Sequence, residues 1–396
     1  MLIKFGKAFT TIRRDGLLVG GRRILSYGII FLKNMFNFPS GDVLIVTGGV
    51  GDSAHYRAYN QAEELTAHGI KAEVMLQDNP LLPWFAGRFQ IFIFQRTIET
   101  GGLKRLVAKI KERQKEIIFE TDDLVFDTQY MHQTDLYKNK MSAFEKMQYA
   151  KGVGEEILKD EYTRTCTTST TYLADILRGY GKKVFVAKNK ISEHELAVVE
   201  HILQHVPKKK DAFVRLGYFS GTHSHNQDFA TVTSALCSIL ARFPQVQLYL
   251  AGPLDVDSEL NVFGDRIITM PLVSRDKYYE NMHQVDICLY PLVQNDPFCQ
   301  SKSEIRFIEA GALEVPLVAV RNQTFSEAIT DGVNGFLAGN RLEWIEKIEQ
   351  LVVDCELRSQ MGKAARAKVL ADYTIANSHE EEYYAYLRGK IKLCNI

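Results

Sequence analysis

The amino-acid sequence predicts an α/β protein made of two Rossmann-like, doubly wound domains that face a cleft. The chain has 396 residues, more than a single hydrophobic core usually supports, so two domains are expected. Short apolar runs alternate with helical segments, which is typical of parallel sheets covered by helices. This alternation stops in a polar stretch at residues 196–212 and starts again after it. We therefore interpret that stretch as a linker between two similar domains.

The first predicted domain covers residues 41–195. Its expected strands are short runs rich in apolar, β-branched and aromatic residues, at positions 43–46, 71–76, 91–94, 116–120, 165–168 and 184–186. Helices are expected at positions 53–68, 103–115 and 171–180. Strands and helices that alternate at this spacing form a parallel, doubly wound sheet.

The second predicted domain covers residues 213–368. Strands are expected at positions 213–218, 246–251, 266–270, 287–290, 317–320 and 335–337. A last helix, within residues 376–396, is expected to pack back onto the first domain. Ligands of open parallel sheets bind outside the carboxyl ends of the strands, so the cleft between the two sheets is the expected site.

The composition limits the partner and the compartment. Lys and Arg together number 48, as do Asp and Glu together. The chain therefore has no net positive charge that would favour nucleic acid as a partner. The six cysteines include no C-x-x-C pair, which favours reduced thiols and a cytoplasmic protein. No apolar run reaches the roughly 18 residues that a membrane span needs. No cleavage site of a secretory signal follows the apolar run near residues 24–32.

Residues 1–38 differ from the rest of the chain because basic and large apolar side chains are mixed there. Seven basic residues stand against one acid, Asp15. This mixture is typical of an amphipathic segment that lies on an anionic membrane surface. The alternative is a pair of short helices that pack on the protein's own surface. The first interpretation predicts a peripheral protein on the inner face of the cell membrane.

A glycine-rich turn follows the first predicted strand. Gly49, Gly51 and Ala54 also satisfy the relaxed G-x-G-x-x-A pattern of dinucleotide-binding proteins, with Asp78 as the candidate ribose-binding acid. An NAD(P)-dependent oxidoreductase is therefore an alternative function. His55 and Arg57 lie just beyond the turn, where either contact with an acceptor or a structural role fits each position.

An acidic cluster ends the fourth predicted strand. Asp122 and Asp123 stand where they would face the cleft. One carboxylate could orient or deprotonate an acceptor hydroxyl. Capping of the loop and binding of a magnesium ion are the alternatives, since paired aspartates suit that metal.

Residues 301–316 contain the most closely spaced set of candidate binding residues. Ser301 and Glu304 form a capping-box pattern, which predicts that a helix begins at Lys302. A cation in a first helical turn opposes the helix dipole unless an anion binds there, so we interpret Lys302 as a phosphate-binding residue. Glu309 would follow about 10 Å along the same stripe, within reach of a ribose. The alternative is a solvated helix on which Lys302 and Arg306 pair with Glu309.

These residues resemble the E-A-x-A-x-G-x-P-V-V signature of GT-B glycosyltransferases of family 4, with Glu309 at the second glutamate of their E-x7-E motif. Further family motifs occur in the expected order, at residues 218–222, 246–253, 286–291 and 331–337. The resemblance implies that the loop after residue 219 wraps a diphosphate. The donor-binding residues that it implies are Ser220, Gly221, Thr222, His225, Asn226, Lys302, Ser303 and Glu309, with Gly49 and Gly51 of the first domain approaching the same ligand.

The resemblance also implies a function. A sugar would pass from a nucleotide-sugar, which is a substrate, to a glycan or lipid-linked acceptor of cell-surface polysaccharide, with retention of configuration. Asp122, Asp123, His55 and Lys302 are the candidate catalytic residues, and no metal or cofactor is expected. Ser301 stands where the family has its first glutamate, and the usual cations of the first donor loop are missing. Lys302 would supply that charge, unless the chain is a catalytically silent GT-B scaffold.

Overall fold

The structure is a computed structural model of the whole chain. It describes residues 20–21, 24–25, 27–29, 31–32, 36–49, 51–131, 146, 152–209, 211–221, 226–255 and 258–393. The chain divides into two compact units. Unit 1 contains residues 1–169, 173–187 and 380–396, and unit 2 contains residues 170–172 and 188–379.

Unit 1 is built on a six-stranded parallel sheet in the order β2-β1-β3-β4-β5-β6. The strands are β1 (Val43–Thr47), β2 (Ala72–Leu76), β3 (Ile91–Gln95), β4 (Glu116–Thr121), β5 (Thr165–Thr168) and β6 (Lys183–Val186). The predicted doubly wound sheet is confirmed, and β5 has the predicted bounds. The central strands β1 and β3 are buried throughout, because helices cover both faces of such a sheet.

The helices of unit 1 follow the strands. They are α1 (Asp52–Ala54), a π-helical turn (His55–Asn60), α2 (Gln61–Ala67), α3 (Gly101–Glu112), α4 (Thr128–Met131), α5 (Glu155–Leu158) and α6 (Thr171–Arg178). Short 3-10 segments lie at Leu82–Gly87 and Leu124–Phe126. The last helix of the chain packs against this sheet, since Tyr386 donates a hydrogen bond to Glu116 over 2.6 Å and Lys390 pairs with the same carboxylate over 2.7 Å.

Unit 2 repeats the architecture with the strand order β12-β11-β10-β7-β8-β9. Its strands are β7 (Val214–Phe219), β8 (Val246–Ala251), β9 (Ile267–Met270), β10 (Ile287–Tyr290), β11 (Leu317–Val320) and β12 (Phe336–Ala338), all parallel to their neighbours. The helices are α7 (Glu193–His205), α8 (Asn226–Arg242), α9 (Arg275–His283), α10 (Pro297–Gln300), α11 (Ile305–Ala312), α12 (Gln323–Ala328), α13 (Arg341–Val353) and α14 (Cys355–Asp372), before α15 (Glu381–Leu393) of unit 1. The second doubly wound domain is thus confirmed.

The segment predicted as a linker has a different structure. Most of residues 196–212 belong to α7, which starts with a complete capping box between Ser192 and Glu195. Val199 and Ile202 bury their side chains in the core of unit 2. The polar composition of the segment reflects the solvent-facing side of this helix. Residues 188–212 therefore belong to unit 2.

The described residues between positions 20 and 36 are helical. Tyr27 donates a hydrogen bond to Asp78 over 2.6 Å, which attaches this segment to the loop after β2. Across the described parts of the chain, the helices are too short or too polar to pass through a bilayer.

Candidate functional site

The carboxyl edge of the first sheet is shaped by Gly48, which immediately follows β1. Its backbone passes so close to β3 that a Cβ atom there would lie 1.9 Å from the carbonyl oxygen of Arg96. Only glycine fits such an approach. At Gly49 and Gly51 a Cβ atom would meet no atom of the described residues within 4 Å. Gly49 and Gly51, the predicted ligand-binding glycines, thus border open space. Gly48, which was not among the predicted ligand-binding residues, is the glycine that the fold requires.

His55 begins the π-helical turn that continues α1. Its ring lies edge-on to the ring of Tyr56, with centroids 5.0 Å apart, and is half-buried. π-helical turns are rare and occur frequently at functional sites. The position of His55 one turn after Gly51 fits either of the roles expected for it.

Asp122 and Asp123 share one arginine that no sequence pattern indicated. Arg96 follows β3 and donates from Nε to Asp122 over 2.6 Å, while its Nη2 pairs with Asp123. Burial alone would raise the pKa of Asp122, but the charge of Arg96 and a hydrogen bond from Ser53 outweigh burial and lower the pKa. A carboxylate with a lowered pKa is a weak proton acceptor, so Asp122 is better suited to orienting a hydroxyl than to deprotonating it.

Asp123 also stabilises the loop after β4. Its Oδ1 accepts a hydrogen bond from the backbone nitrogen of Val125 over 3.0 Å. This bond caps the 3-10 segment Leu124–Phe126. Loop capping, one of the alternatives for this cluster, is therefore present at Asp123.

A second arginine is buried beneath the same edge. Arg57 forms two bonds to the carboxylate of Glu120, of 2.7 and 3.1 Å, and its Nη1 donates to the carbonyl of Ala187 over 2.5 Å. Both side chains are almost fully buried. The sequence did not predict this role of Arg57, because partners 63 residues apart leave no local pattern. The pair joins the helix after β1 to β4 and makes the edge rigid.

The carboxyl edge of the second sheet begins with Ser220 and Gly221, which follow β7. Ser220 is buried and its nitrogen donates to the carbonyl of Ala251 over 2.8 Å. Gly252, after β8, has a positive φ of 90°, and a Cβ atom there would lie 1.9 Å from the Ser220 carbonyl oxygen. This close crossing fixes the start of the predicted donor loop.

Of the remaining predicted loop residues, Thr222 and His225 lie outside the described residues. Asn226 is the first residue of α8 and exchanges hydrogen bonds with Asp255, including one of 3.2 Å from the Asp255 nitrogen. Its amide therefore connects the loops after β7 and β8.

The predicted helix start at Lys302 is wrong. Asp296 caps a short helix, α10, which carries Pro297 at its first position. Ser301 ends α10, and its hydroxyl bonds the carbonyl of Phe298 over 2.7 Å instead of capping a following helix. The next helix, α11, begins at Ile305. Lys302 and Ser303 thus lie in the connection between two helices, and the expected helical stripe from Lys302 to Glu309 does not exist.

Lys302 nevertheless differs from the other cations of this region. It is half-buried, and among the described residues no carboxylate pairs with its ammonium. Ser303 accepts a hydrogen bond from the side-chain amide of Asn189 over 2.9 Å. Glu304 is buried, and burial raises its pKa although the charges of Lys188 and Lys190 oppose this.

Glu309 lies at the centre of a polar network on α11. Its Oε2 accepts hydrogen bonds from the hydroxyl of Tyr278 over 2.5 Å and from Arg306 over 2.8 Å. Arg275 approaches Oε1 to 3.7 Å. The carboxylate is 5% exposed. The predicted pairing with Arg306 is present, and the pairing with Lys302 is not.

Arg306 places this network at the edge of the sheet. Its Nη2 donates to the carbonyl of Phe219, the last residue of β7, over 2.8 Å. The guanidinium lies 5.4–5.9 Å from the ring centres of three aromatic residues, Phe219, Tyr278 and Tyr290. The loop after β7 lacks the cations that the family usually has there. Arg306 provides a positive charge at this place from α11. The i,i+3 spacing of Arg306 and Glu309 was the available signal for it.

The network continues to α7. Arg275 lies 3.3 Å from Glu195, which also accepts a hydrogen bond from Tyr279 over 3.2 Å. Arg275, Tyr278 and Tyr279 were missed because α9 contacts Glu309 and Glu195 only in the folded unit. Within the residues that the structure describes, no group of three or more His, Cys, Asp and Glu side chains is placed to hold a metal ion.

Residues 214–354 match the sequence profile of the family described as glycosyl transferases group 1. The match covers most of unit 2, including Ser220, Lys302 and Glu309. No curated protein matches the chain in sequence.

Solved structures share the whole fold. HepE of Anabaena in complex with UDP-glucose superposes with a TM-score of 0.56 at 14% identity, over 88% of this chain and 99% of HepE. A glycosyltransferase from Rickettsia africae gives 0.59 at 12% identity, over 90% and 100%. WaaG, a glycosyltransferase involved in lipopolysaccharide biosynthesis, gives 0.56 at 15% identity, over 88% and 100%. Likeness at these identities establishes the fold. The chain thus has the fold of these glycosyltransferases, and residues 214–354 match the glycosyl transferases group 1 family.

Proposed function

We propose that this enzyme transfers a sugar from a nucleotide-sugar, bound at the carboxyl edge of the second sheet, to a glycan or lipid-linked acceptor. The observation that carries the proposal is the buried Glu309 carboxylate, held by Tyr278 and Arg306 beside the end of β7. A fixed carboxylate at such an edge is suited to accept hydrogen bonds from two adjacent ribose hydroxyls.

The diphosphate of the donor is proposed to lie between Lys302 and the loop at Ser220 and Gly221. The ammonium of Lys302 pairs with no carboxylate in the described part of the chain, so it is available to a ligand. Arg306 adds a second cation at the end of β7. Departure of a nucleoside diphosphate chiefly needs stabilisation of the negative charge that develops on it, and fixed cations provide this.

The acceptor is proposed to meet unit 1 at the loop of Gly49 and Gly51. The open space beside both glycines supports close approach of a ligand to the backbone. Asp122 would orient the acceptor hydroxyl in its ionised form, because Arg96 keeps its pKa low. His55 would contact the acceptor from the helix that follows.

We further propose that configuration is retained and that the departing phosphate takes the acceptor proton. The resemblance of residues 301–316 to family 4 supports this mechanism. The UDP-glucose bound to HepE and the role of WaaG in lipopolysaccharide biosynthesis support a UDP-sugar donor and a cell-surface acceptor. Proton NMR of the first product formed gives the anomeric configuration directly. Inversion would refute retention while leaving the transfer itself established.

The decisive experiment for the donor is a thermal-shift panel of nucleotides and nucleotide-sugars. A ligand that binds only the folded state raises the melting temperature by mass action. We expect UDP and one UDP-sugar to raise it, and NADH to have no effect. Stabilisation by NADH alone would favour the oxidoreductase alternative. Binding of a nucleotide-sugar without any transfer to added acceptors would favour a silent scaffold.

Residues 1–38 are proposed to hold the enzyme on the inner face of the cell membrane. Their seven basic residues and one acid support attraction to anionic lipid, at about 1 kcal/mol for each basic residue near the surface. Charge reversal at Arg13, Arg14, Arg22 and Arg23 tests this better than deletion, because Tyr27 is bonded to Asp78. The variant should no longer sediment with anionic vesicles. Equal sedimentation of both proteins would refute the proposal.

A further inference from the structure

An apolar surface patch is exposed on unit 1. It consists of six large side chains that are 47–75% exposed: Leu25, Ile29, Leu32, Phe36, Phe38 and Trp84. Large apolar side chains exposed together, unlike single ones, mark a surface that is covered by a partner. The two parts of the patch, in the N-terminal segment and at Trp84, are more than 45 residues apart in the chain.

The helical residues of the patch have the spacing of a single stripe. Leu25, Ile29, Leu32 and Phe36 are each helical and follow each other at intervals of four, three and four residues, which is the spacing of one helix face. Tyr27 and Phe31 lie on the opposite face, where their rings stack 6.4 Å apart. Tyr27 also bonds to Asp78 on that side. The segment is therefore attached to unit 1 by its tyrosine face and presents its most apolar face outward.

Trp84 is the sixth exposed side chain of the patch. It lies on the 3-10 segment Leu82–Gly87 and is 75% exposed, whereas its neighbour Phe85 is buried. The ring of Phe85 lies 6.4 Å from that of Phe38, and Arg88 donates to the Phe38 carbonyl over 3.0 Å. Phe38, which follows the N-terminal segment, thus packs against the segment that carries Trp84.

Positive charge flanks the Trp84 segment. Arg88 is exposed directly after it. A Cβ atom built on Gly87 would lie 3.5 Å from Nη1 of Arg113, so that arginine lies beside the segment. Arg113 is preceded by Lys109 and Arg105, which are exposed at four-residue intervals on one face of α3. These three residues, together with Arg88, are called the basic flank below.

We infer that Trp84 and the apolar stripe insert into the interface of an anionic bilayer while the basic flank contacts the lipid headgroups. Tryptophan prefers the boundary between headgroups and hydrocarbon, and exposed cations around it match anionic lipid. A second copy of the chain fits this surface less well. Lysine is depleted in protein interfaces, and in a symmetric dimer the basic flanks of the two copies would repel each other. The inference rests on the proposed membrane attachment of residues 1–38 and extends it to a folded part of unit 1.

The test uses the full chain and the emission of Trp84. The chain has two tryptophans, and Trp344 is buried in unit 2. In a Trp344→Phe variant, emission reports on Trp84 alone. Vesicles of phosphatidylglycerol and phosphatidylcholine should shift this emission to shorter wavelength, and brominated acyl chains should quench it. Unchanged emission from protein that sediments with the vesicles would overturn the inference.

Substitutions in the natural background test the same surface independently of Trp344. Trp84→Ala should weaken partitioning into the anionic vesicles by about tenfold, because one large apolar side chain no longer enters the interface. Leu342→Ala is the matched control, since Leu342 is 71% exposed on unit 2, and it should have no effect. Equal partitioning of Trp84→Ala and the natural protein would overturn the inference.

Two further measurements distinguish lipid binding from self-association and from failure of the donor site. Light scattering without lipid should give the monomer mass for both proteins, and a dimer that Trp84→Ala dissociates would show that a second copy covers the patch. UDP should stabilise Trp84→Ala as much as the natural protein. Loss of vesicle binding with UDP binding retained would support the surface, whereas absence of UDP binding in both proteins would refute only the proposed donor site.

Discussion

The carboxyl edges of the two sheets have the same architecture but different networks of ion pairs. At the first edge, Arg57 and Arg96 face three carboxylates, those of Glu120, Asp122 and Asp123. At the second edge, the network of Glu309 and Glu195 contains Arg275 and Arg306, and Lys302 adds a cation nearby. The first network therefore has two arginines for three carboxylates, whereas the second has two arginines for two carboxylates and lies on the same unit as Lys302, which pairs with no described carboxylate.

This difference agrees with the proposal that the two similar domains bind different ligands. A surplus cation next to a buried carboxylate suits a ligand that carries both a diphosphate and sugar hydroxyls. An edge whose carboxylates are already held by arginines suits a neutral hydroxyl compound instead. The duplication of one fold thus leaves the choice of ligand to a few side chains at the strand ends.

Substitution of the glycines at the two edges should have the largest effect on stability, and it compares the two edges directly. Gly48→Ala and Gly252→Ala should each lower the free energy of unfolding by more than about 3 kcal/mol, because the new Cβ would lie 1.9 Å from a carbonyl oxygen. Gly49→Ala is the control and should leave stability within about 1 kcal/mol. Urea denaturation measures all three. A stable Gly48→Ala protein would mean that β1 and β3 do not approach as described.

Glu309 tests the second edge. Glu309→Ala leaves the half-buried Arg306 without its carboxylate partner, so we expect a loss of roughly 1–3 kcal/mol of stability as well as a loss of activity. Glu309→Gln keeps the shape and should remain folded, but turnover should fall by at least about tenfold, since each charged hydrogen bond to the ribose is worth roughly 1.5–3 kcal/mol. Thermal melting and transfer assays on both variants separate the two effects. Normal turnover in Glu309→Gln would remove Glu309 from the proposed donor site.

Lys302 tests the surplus of positive charge. Lys302→Ala should weaken binding of UDP by about tenfold and leave uridine binding unchanged, because one charge-assisted contact to phosphate is lost. Stability should change by less than about 0.5 kcal/mol, since no described carboxylate pairs with Lys302. Lys363→Ala, an exposed lysine on α14, is the control. Calorimetric titration with both ligands is the measurement, and equal losses for UDP and uridine would contradict a phosphate contact.

Substitutions at Asp122 and Glu304 should change stability least, and the two changes should depend on pH in opposite directions. The lowered pKa of Asp122 stabilises the fold above the ordinary aspartate value, near pH 4, and this contribution disappears as the pH falls through the folded pKa. Asp122→Asn should therefore reduce stability at pH 7 and weaken its dependence on acid. The raised pKa of Glu304 costs stability as the pH rises through it, so Glu304→Gln should gain stability at pH 8 relative to pH 5. Melting curves across this range compare both variants with the natural protein.

The strands could be predicted because their signal is local. Buried parallel strands are nearly continuous apolar runs, so Val246–Ala251, Ile287–Tyr290 and Leu317–Val320 have the bounds that the sequence indicated. The position of Glu309 on a half-buried helix followed from the same kind of pattern. The capping box at Ser301 failed because Asp296 and Pro297 form a competing helix start five residues earlier.

The partners of the functional side chains depended on the tertiary structure. Arg96 bonds to Asp122 across 26 residues, and Tyr278 to Glu309 across 31. No sequence period relates residues on different strands and helices, because their distance is set by sheet order and by how each helix packs. The residue types at the two edges are therefore local properties of the chain. The ion pairs between them exist only after the sheets have formed.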